Sequence, residues 1–392
     1  MDAEFTLTNL LLVSLLAFAV PFVLAFFPRV RVASAVLELV AGIVFGPELL
    51  DWIEIDAPVE IMSSIGVAFL LFLAGMELDL RVLRGPALRR GAAAFMISLL
   101  LAIGILLVFK EFGLVETPLL IAIALSATSV GIVVPVLRDS GLLHSPAGLF
   151  TIAGSSMAEF GTIVLLGLFF ARDGSSPRVE AVLLVVFGVL AVLLLRGLVW
   201  FSGREATQAI FRRLDDTSSQ VRVRLAIVVL LAAAVVASAF GFEAILGTFL
   251  AGAIFAVVIR GWHDLETFRK KIDAVGFGFF VPVFFVVSGM RLDLQALLGW
   301  LEIGTVLVLL LVLLVVRALP VLLYRRYLTD REALASGLLQ ATNLSFVVVA
   351  VTVGEGIGAI TYSGGTALIA AGLLSAVIFP PLAHALLRKE GG

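Results

Sequence analysis

Glu159 is the only ionisable residue in the apolar stretch 147–171, and it lies at the middle of that stretch. A helix of about 20 apolar residues crosses a bilayer, so the stretch predicts a membrane span. A carboxyl group at that depth is a functional-site hypothesis by default, because burying a charge in lipid is unfavourable. Ser155 and Ser156 precede Glu159 by one helical turn and Thr162 follows it by one turn, on the same face. An acidic group beside these hydroxyls suits a proton or a hard cation; the alternative is a carboxylate neutralised by a static ion pair that only fixes packing.

Two segments, residues 127–131 (ATSVG) and 341–345 (ATNLS), interrupt apolar stretches with small, β-branched and polar residues. Such residues form helices poorly, and in lipid an unwound backbone survives only where it lines a cavity or is buried in protein. Half-helix ends that meet near the bilayer centre bring opposite partial charges together. The two segments therefore predict a pair of broken helices; small-residue packing between intact helices is the alternative.

Arg317 and Glu38 stand out among the other charged residues that are predicted inside the membrane. A buried guanidinium group needs a partner, and the candidates for Arg317 are Glu159 and the carbonyl groups freed at the predicted breaks. The other interpretation is that Arg317 extends to the membrane surface, toward Arg325 and Arg326. We expect the internal role, as charge compensation. Glu38 could line an entrance from the cytoplasm; a contact at the membrane interface or between subunits is equally compatible with its position.

The composition is that of an integral membrane protein. Of the 392 residues, 61% are hydrophobic and 14% are charged, whereas a soluble protein carries about 25% charged residues. A net charge of −2 gives no sign of a nucleic-acid partner, and there is no cysteine for disulfides, thiolate metal sites or nucleophiles. Neither HExxH nor GxSxG occurs, so we expect neither an enzyme nor a bound cofactor.

Hydropathy and the positions of glycine, proline and charged residues predict an all-α membrane protein with 13 transmembrane helices. The predicted spans are 8–27, 31–48, 59–77, 88–109, 116–138, 147–171, 179–201, 223–240, 243–260, 274–290, 301–324, 332–353 and 362–387. The first span lacks a basic leader and a cleavage site, which favours a membrane helix over a signal peptide. Lysines and arginines divide 21 to 4 between the two sets of connections. We therefore expect a multi-pass protein of the cell membrane with the N-terminus outside and the C-terminus in the cytoplasm.

An internal repeat relates the two halves of the chain. The matching pairs are 70–83 with 284–297 and 126–134 with 340–348, both 214 residues apart, and 39–45 with 249–255, 210 residues apart. Each offset moves an element by seven spans, an odd number, so the two copies have opposite orientations in the membrane. The sequence therefore predicts two inverted repeats, helices 1–6 and 8–13. In secondary transporters of this architecture the substrate site lies at the midplane between the repeats.

Six stretches of the chain resemble the monovalent cation:proton antiporter-2 family, which contains the Kef-type and NapA-like exchangers. They are LELVAGIVFGP (37–47), LLFLAGMELDL (70–80), ALSATSVGIVVPVLRDSGLL (124–143), the Glu159 helix, PVFFVVSGMRLD (282–293) and the Arg317 helix. The resemblance extends from about residue 8 to residue 387. It implies a transporter that exchanges a monovalent cation for protons.

The same resemblance implies a homodimer in which a core moves against a dimerisation part in an elevator-like stroke. The dimerisation part would comprise about 8–77 and 223–290, the core about 88–171 and 301–387, and a linker helix 179–201. Broken helices 5 and 12 would cross within the core. Kef-type members often add a cytoplasmic nucleotide-binding domain. We expect a single transmembrane domain over 1–392 without such a soluble regulatory domain, because the chain stops shortly after the thirteenth span.

By position, Glu159 stands where the family has its cation- and proton-binding aspartate. Polar residues of this chain also stand at other positions of the family's ion site. They are Thr128 and Ser129 at the first crossover, Asn343 at the second and Arg317 in the core helix. Together with Ser155 and Ser156, these residues form the predicted site, with a monovalent cation or a proton at Glu159.

Two departures from the family pattern bear on stoichiometry. Glu159 replaces the usual aspartate, and Ala158 stands where the family often has Asn, Asp or Gln. Without a second carboxylate, a mechanism that carries one extra proton per cation loses support. We therefore predict electroneutral exchange of one Na⁺ or K⁺ for one H⁺ by competition at Glu159.

Two other functional classes stay open at this point. A sodium-coupled symporter of an organic anion can use a similar inverted-repeat fold, but it would need further polar side chains facing the site, which are scarce here. A Kef-type gated cation channel would pass ions without obligatory proton counterflow, and sequence alone does not separate it from an exchanger.

Overall fold

The computed structural model of the protein describes most of the chain. The described residues are 7–26, 33–77, 86–112, 115–143, 145–169, 220–240, 244–259, 265–295 and 299–387, with isolated positions between 182 and 200. All regular structure in these residues is helical, and no strand occurs among them. The predicted all-helical fold class is thus confirmed for the described part of the chain.

The helices are numbered α1 to α15 in chain order. The first seven are α1 (Thr8–Ala25), α2 (Ser34–Phe45), α3 (Ala57–Glu77), α4 (Pro86–Glu111), α5 (Pro118–Ser126), α6 (Val130–Asp139) and α7 (Pro146–Phe169). The next four are α8 (Val221–Ala239), α9 (Ala244–Val258), α10 (Leu265–Val275) and α11 (Val281–Met290). The last four are α12 (Trp300–Ala318), α13 (Asp330–Gln340), α14 (Ser345–Gly356) and α15 (Tyr362–Leu387). A π-helical turn, Gly276–Phe280, joins α10 to α11, and a 3₁₀ helix, Leu319–Tyr324, follows α12.

Nine helical segments of the described residues are long and apolar enough to cross a membrane. They are Thr8–Ala25, Ala57–Glu77, Pro86–Glu111, Pro146–Gly167, Val221–Ala239, Leu265–Met290, Trp300–Tyr324, Asp330–Gly356 and Tyr362–Leu387. Shorter apolar helical segments are Ser34–Phe45, Pro118–Val134 and Leu246–Val258. The prediction of many membrane-spanning helices agrees with these segments, whereas the count of thirteen spans stays a prediction.

Three predicted spans differ in their continuity from the observed helices, and one is hardly covered by the described residues. The predicted fifth span, 116–138, is divided into α5 and α6, and the predicted twelfth span, 332–353, is divided into α13 and α14. The predicted tenth span, 274–290, is preceded without interruption by the charged helix α10, because the π-helical turn continues α10 into α11. The predicted seventh span, 179–201, lies outside the described residues apart from isolated positions.

The contacts between helices divide the chain into two compact units. The first unit comprises Met1–Asp56, Asp79–Thr162 and Phe285–Gly392, and the second comprises Ala57–Leu78 and Ile163–Phe284. The candidate site residues named above all belong to the first unit. The division into a dimerisation part and a core, which the resemblance implies with other boundaries, stays a prediction.

Close contacts with α4 hold α7 in place within the first unit. A Cβ atom on Gly91 of α4 would lie 3.0 Å from the carbonyl oxygen of Ala153 on α7. Two turns further along α7, the ring of Phe95 covers Gly161 and leaves no room for a side chain there. These two contacts lie on either side of Glu159 along α7, so they fix the position of this part of α7 beside α4.

Helix α13, which ends at the second break, begins at a capping box. Thr329 Oγ1 accepts a hydrogen bond from the amide of Glu332 at 3.3 Å, and the Glu332 carboxylate accepts one from the amide of Thr329 at 2.9 Å. Because this pattern satisfies two amides of the first turn, it fixes where α13 starts.

In the second unit, α3 and α9 approach so closely that glycine is required where they cross. A Cβ atom on Gly252 would collide with the carbonyl oxygen of Phe72, and one on Gly75 would collide with the carbonyl oxygen of Phe249. Both obstacles are backbone atoms, so no side-chain rotation relieves them. Helices in lipid associate through such small-residue contacts, because lipid supplies no hydrophobic driving force.

Gly252→Ala should lower the thermal unfolding temperature of the detergent-purified protein, because overpacking a tight contact costs about 1–3 kcal/mol. Gly104→Ala on α4 is the matched control, since no atom lies within 4 Å of the position its Cβ would take. Equal melting temperatures for the two variants would show that the α3–α9 crossing accommodates an added methyl group, so that glycine is not required there.

Candidate functional site

The two helix breaks lie against each other in the first unit. Residues 127–129 separate α5 from α6, and residues 341–344 separate α13 from α14. The backbone amide of Ser129 donates a hydrogen bond to the carbonyl oxygen of Thr342 at 2.9 Å. Every residue of both breaks is buried. The unwound backbone is therefore enclosed by protein, as the absence of water in a bilayer core demands.

Ser129 supplies acceptors for the start of α14. Its Oγ accepts hydrogen bonds from the amides of Leu344 at 3.1 Å and Ser345 at 3.2 Å, which have no carbonyl partner one turn earlier. A hydroxyl oxygen has two lone pairs, and both are used here. In this arrangement Ser129, a predicted ion ligand, binds the protein backbone.

Arg317 is fully buried on α12 and caps the C-terminal end of α13. Its Nε donates to the carbonyl oxygen of Gln340, the last residue of α13, at 3.2 Å. Its other hydrogen bonds go to Thr128 Oγ1 at 2.6 and 3.1 Å, Ser98 Oγ at 3.0 Å and Gln340 Oε1 at 3.4 Å. All these acceptors are neutral, so the guanidinium charge faces the negative end of the α13 dipole.

The burial of Arg317 decides between its two interpretations. The side chain has no exposed surface, so it does not extend to the membrane surface. Of its two predicted kinds of partner, it bonds a carbonyl group freed at a break, the one at Gln340. Its hydrogen bonds do not include Glu159.

Thr128 joins the first break to this network. Its hydroxyl donates to the carbonyl oxygen of Gln340 at 2.6 Å and accepts the two hydrogen bonds from Arg317. One proton and two lone pairs are all that a hydroxyl group offers, so Thr128 is saturated. Its side chain therefore orients the guanidinium group in this arrangement and has no lone pair left for an ion.

Glu159 is 3% exposed, and its face of α7 looks toward the last turn of α5. Thr162, one helical turn beyond Glu159, donates to the carbonyl oxygen of Ile123 at 3.4 Å. Ile123 lies in the C-terminal turn of α5, immediately before the first break. The carboxyl group is thus carried on the helix face that meets the end of a half-helix.

Asn343 reaches the same turn of α5 from the second break. Its Nδ2 donates to the carbonyl oxygen of Ala124 at 2.7 Å, and its backbone amide donates to Ser375 Oγ at 3.0 Å. The side-chain Oδ1 is buried and accepts no hydrogen bond within the described residues. Since Ile123 and Ala124 are adjacent, Asn343 and the Glu159 face of α7 converge on one turn.

Ser155 and Ser156 lie one turn before Glu159 on α7, and both are buried. Ser155 Oγ has no hydrogen-bond partner among the described residues. Buried polar atoms are nearly always hydrogen-bonded, so Ser155 Oγ and Asn343 Oδ1 call for an explanation such as a ligand. Hydroxyl and amide oxygens of this kind, like a carboxylate, can coordinate a dehydrated monovalent cation.

Glu38 is 4% exposed on α2, which packs against α1 and α15. The hydrogen bonds that join the two breaks do not involve Glu38. Its assignment to an entrance stays a prediction.

Three residues of this network escaped the sequence analysis. Gln340 supplies two acceptors to the guanidinium group, and a signal for it existed, because it matches Ser126 in the 214-residue repeat. Ser98 is an isolated serine in apolar α4 and gave no signal. Gly154 is needed because Tyr324 Oη and the Gln340 amide group lie 2.7–3.0 Å from where its Cβ would be.

Comparison with known proteins identifies the family. The family model described as sodium/hydrogen exchanger, transmembrane, matches residues 14–389. The putative Na⁺/H⁺ antiporter YjbQ of Bacillus subtilis is 27% identical over 411 residues, which cover 99% of this chain and 64% of YjbQ. The Na⁺/H⁺-K⁺ antiporter GerN of Bacillus cereus is 27% identical over 365 residues, covering 90% of each protein. This chain thus spans about two thirds of the length of YjbQ and most of the length of GerN.

A solved structure shares the fold. The sodium proton antiporter MjNhaP1 from Methanocaldococcus jannaschii, determined at pH 8, matches with a TM-score of 0.69 over 98% of both chains and 18% sequence identity. The predicted resemblance to monovalent cation:proton antiporters is confirmed by the family model, which covers nearly the whole chain. This chain belongs to the sodium/hydrogen exchanger family.

Proposed function

We propose that this protein exchanges a monovalent cation, Na⁺ or K⁺, for H⁺ by competition at Glu159. One observation carries the proposal: a buried carboxyl group lies on the helix face that meets the end of a broken membrane helix. The names of the relatives support it, because YjbQ and MjNhaP1 are called Na⁺/H⁺ antiporters and GerN is called a Na⁺/H⁺-K⁺ antiporter. The GerN name is the reason to keep K⁺ beside Na⁺.

The proposed ion ligands are a buried carboxylate and two buried oxygen atoms that take part in no hydrogen bond within the described residues. They are the Glu159 carboxylate, Ser155 Oγ and Asn343 Oδ1, with Ser156 as a further hydroxyl on the same helix. Thr128 and Ser129, which the resemblance implies as ligands, instead hold Arg317 and the start of α14. Their proposed role is to position the site.

Charge neutrality explains why the two ions take turns. A charged carboxylate is unfavourable in a water-poor site, so binding of either a proton or a cation stabilises Glu159. We infer that only the neutralised protein moves between its inward- and outward-facing states, by an elevator-type motion. Because Ala158 offers no second carboxylate, one cation exchanges for one proton and the transport cycle is electroneutral.

The proposed architecture is the one that the repeat implies. It has 13 spans in two inverted repeats, with broken helices 5 and 12 crossing at the site and Glu38 at an entrance. The positions of the two breaks support it, because Ser129 and Asn343 occupy equivalent positions in two segments that match at the 214-residue offset. A homodimer in the cell membrane, with the N-terminus outside and the C-terminus in the cytoplasm, completes the proposal.

Glu159→Gln should abolish cation-dependent proton movement in proteoliposomes, because an amide group can neither release a proton nor neutralise a cation. Glu302→Gln, which changes an exposed carboxylate in the first turn of α12, is the matched control and should transport normally. Normal exchange by a folded Glu159→Gln protein would remove this residue from the mechanism. Cation flux without proton counterflow in the unchanged protein would indicate a channel.

Ser155→Ala should raise the half-saturating cation concentration about five- to tenfold, the effect of losing one ligand worth about 1–1.4 kcal/mol. The maximal rate should change little, because the carboxyl group that binds the proton is retained. Thr352→Ala on α14 is the control, since the Thr352 hydroxyl already donates to the carbonyl oxygen of Val348 at 2.9 Å. The same half-saturating concentration in both variants would contradict a ligand role for Ser155.

Arg317→Ala should lower the melting temperature of the purified protein strongly. The substitution leaves Ser98, Thr128 and Gln340 with unpaired buried acceptors, at about 1–3 kcal/mol for each. Arg317→Lys should recover part of the loss, because it keeps the charge at the end of α13. Arg326→Ala, at an exposed position, is the control. Equal melting temperatures for Arg317→Ala and Arg326→Ala would show that the guanidinium group does not hold the breaks together.

A further inference from the structure

A groove of about 260 Å³ opens between α13 and the segment formed by the end of α12 and the 3₁₀ helix that follows it. Ala318, Leu322, Leu334 and Gly337 form its apolar walls. Arg325 and Asp330 line it where the 3₁₀ helix ends and α13 begins. The groove is therefore amphipathic, with apolar walls and an ion pair at one end.

The backbone builds this groove. Pro320 lacks an amide hydrogen, so the α-helical hydrogen-bond pattern does not continue through it, and residues Leu319–Tyr324 form the narrower 3₁₀ helix. Nearby, α12 and α13 are in contact, because a Cβ atom on Gly337 would lie 3.0 Å from the Cβ of Ala318.

The surface around the groove is apolar and exposed. Leu319, Leu322 and Leu334 are 48%, 53% and 55% exposed. On the apolar helices of a multi-pass membrane protein, such a surface faces lipid, so lipid and not water meets the groove. Beyond the last turn, Tyr327 is 44% exposed, and tyrosine is enriched at the level of lipid headgroups.

The charges at this corner favour an anion. Five arginines lie at the starts of α4 and α13 and after the 3₁₀ helix, against two carboxylates, which leaves an excess of three positive charges. They are Arg89, Arg90, Arg325, Arg326 and Arg331, against Asp330 and Glu332. Arg90 belongs to the corner, because its Nη1 donates to the carbonyl oxygen of Leu323 at 2.6 Å and its guanidinium lies 4.7 Å from the centre of the Tyr327 ring.

We propose that this groove binds an anionic phospholipid, with an acyl chain between α12 and α13 and the phosphate at Arg325. Arg325 now pairs with Asp330 at 3.0 Å, but both side chains are exposed, at 61% and 83%, and such pairs are weak. Arginine binds phosphate through two parallel hydrogen bonds, so a headgroup can displace Asp330.

The bound lipid would brace the two helices that meet inside the site. Helix α12 carries Arg317 in its last turn, and α13 ends at Gln340, whose carbonyl group Arg317 caps. A lipid between the segment that follows Arg317 and the first turns of α13 stabilises that pair of helices. The binding itself does not depend on which ion the protein transports.

Native mass spectrometry of the full chain in detergent tests the proposal, with phosphatidylglycerol and phosphatidylcholine of identical acyl chains as probes. Phosphatidylglycerol should bind at least severalfold more tightly. Arg325→Gln should reduce its affinity to that of phosphatidylcholine. Asp330→Asn should raise it, because the substitution removes the acceptor that competes with the phosphate. Since the two substitutions act in opposite directions, a general loss of folded protein cannot imitate the result.

Lys270→Gln and Glu266→Gln are the matched controls. They remove the two halves of an equally exposed ion pair on α10, also 3.0 Å long, and should leave both affinities unchanged. Equal binding of the two lipids, unchanged phosphatidylglycerol affinity in Arg325→Gln, or weaker binding in Asp330→Asn would each overturn the proposal.

Discussion

A polar group buried in a bilayer must find its partner inside the protein, and the two helix breaks are built around this requirement. Unwinding residues 127–129 and 341–344 frees amide and carbonyl groups that are buried in the protein. Side chains of the opposite break and of α12 take up several of them: Ser129 receives the first amides of α14, and Thr128 and Arg317 bind the last carbonyl of α13. The two breaks are therefore joined by hydrogen bonds from each to the other.

The two half-helix ends are compensated differently. The C-terminal end of α13 faces the guanidinium group of Arg317, a fixed positive charge. Two neutral side chains donate to the last turn of α5: Thr162 donates to the carbonyl oxygen of Ile123, and Asn343 donates to that of Ala124. The negative end of α5, beside the face of α7 that carries Glu159, favours a mobile positive charge. The proposed exchange uses this difference, because a Na⁺, a K⁺ or a proton can supply the charge that the protein itself supplies at α13.

The sequence predicted the features that local composition determines. These features are the burial of Glu159 and the positions of the two breaks, and the 214-residue offset indicated that the two breaks correspond to each other. The choice of partners could not be predicted in this way. Whether Arg317 bonds Glu159 or a carbonyl group, and whether Thr128 and Ser129 keep a free lone pair, depends on how α4, α12 and α13 pack. Hydropathy does not encode that packing, and so Ser98 gave no signal.

In the proposed mechanism a cation and a proton compete for one carboxyl group. The most direct test measures the half-saturating Na⁺ or K⁺ concentration of transport in proteoliposomes across a range of pH. If the two ions compete, this concentration rises up to about tenfold for each unit of falling pH, while the maximal rate at saturating cation stays the same. A half-saturating concentration independent of pH, with a maximal rate that falls instead, would place the proton and the cation at separate sites and contradict competition at Glu159.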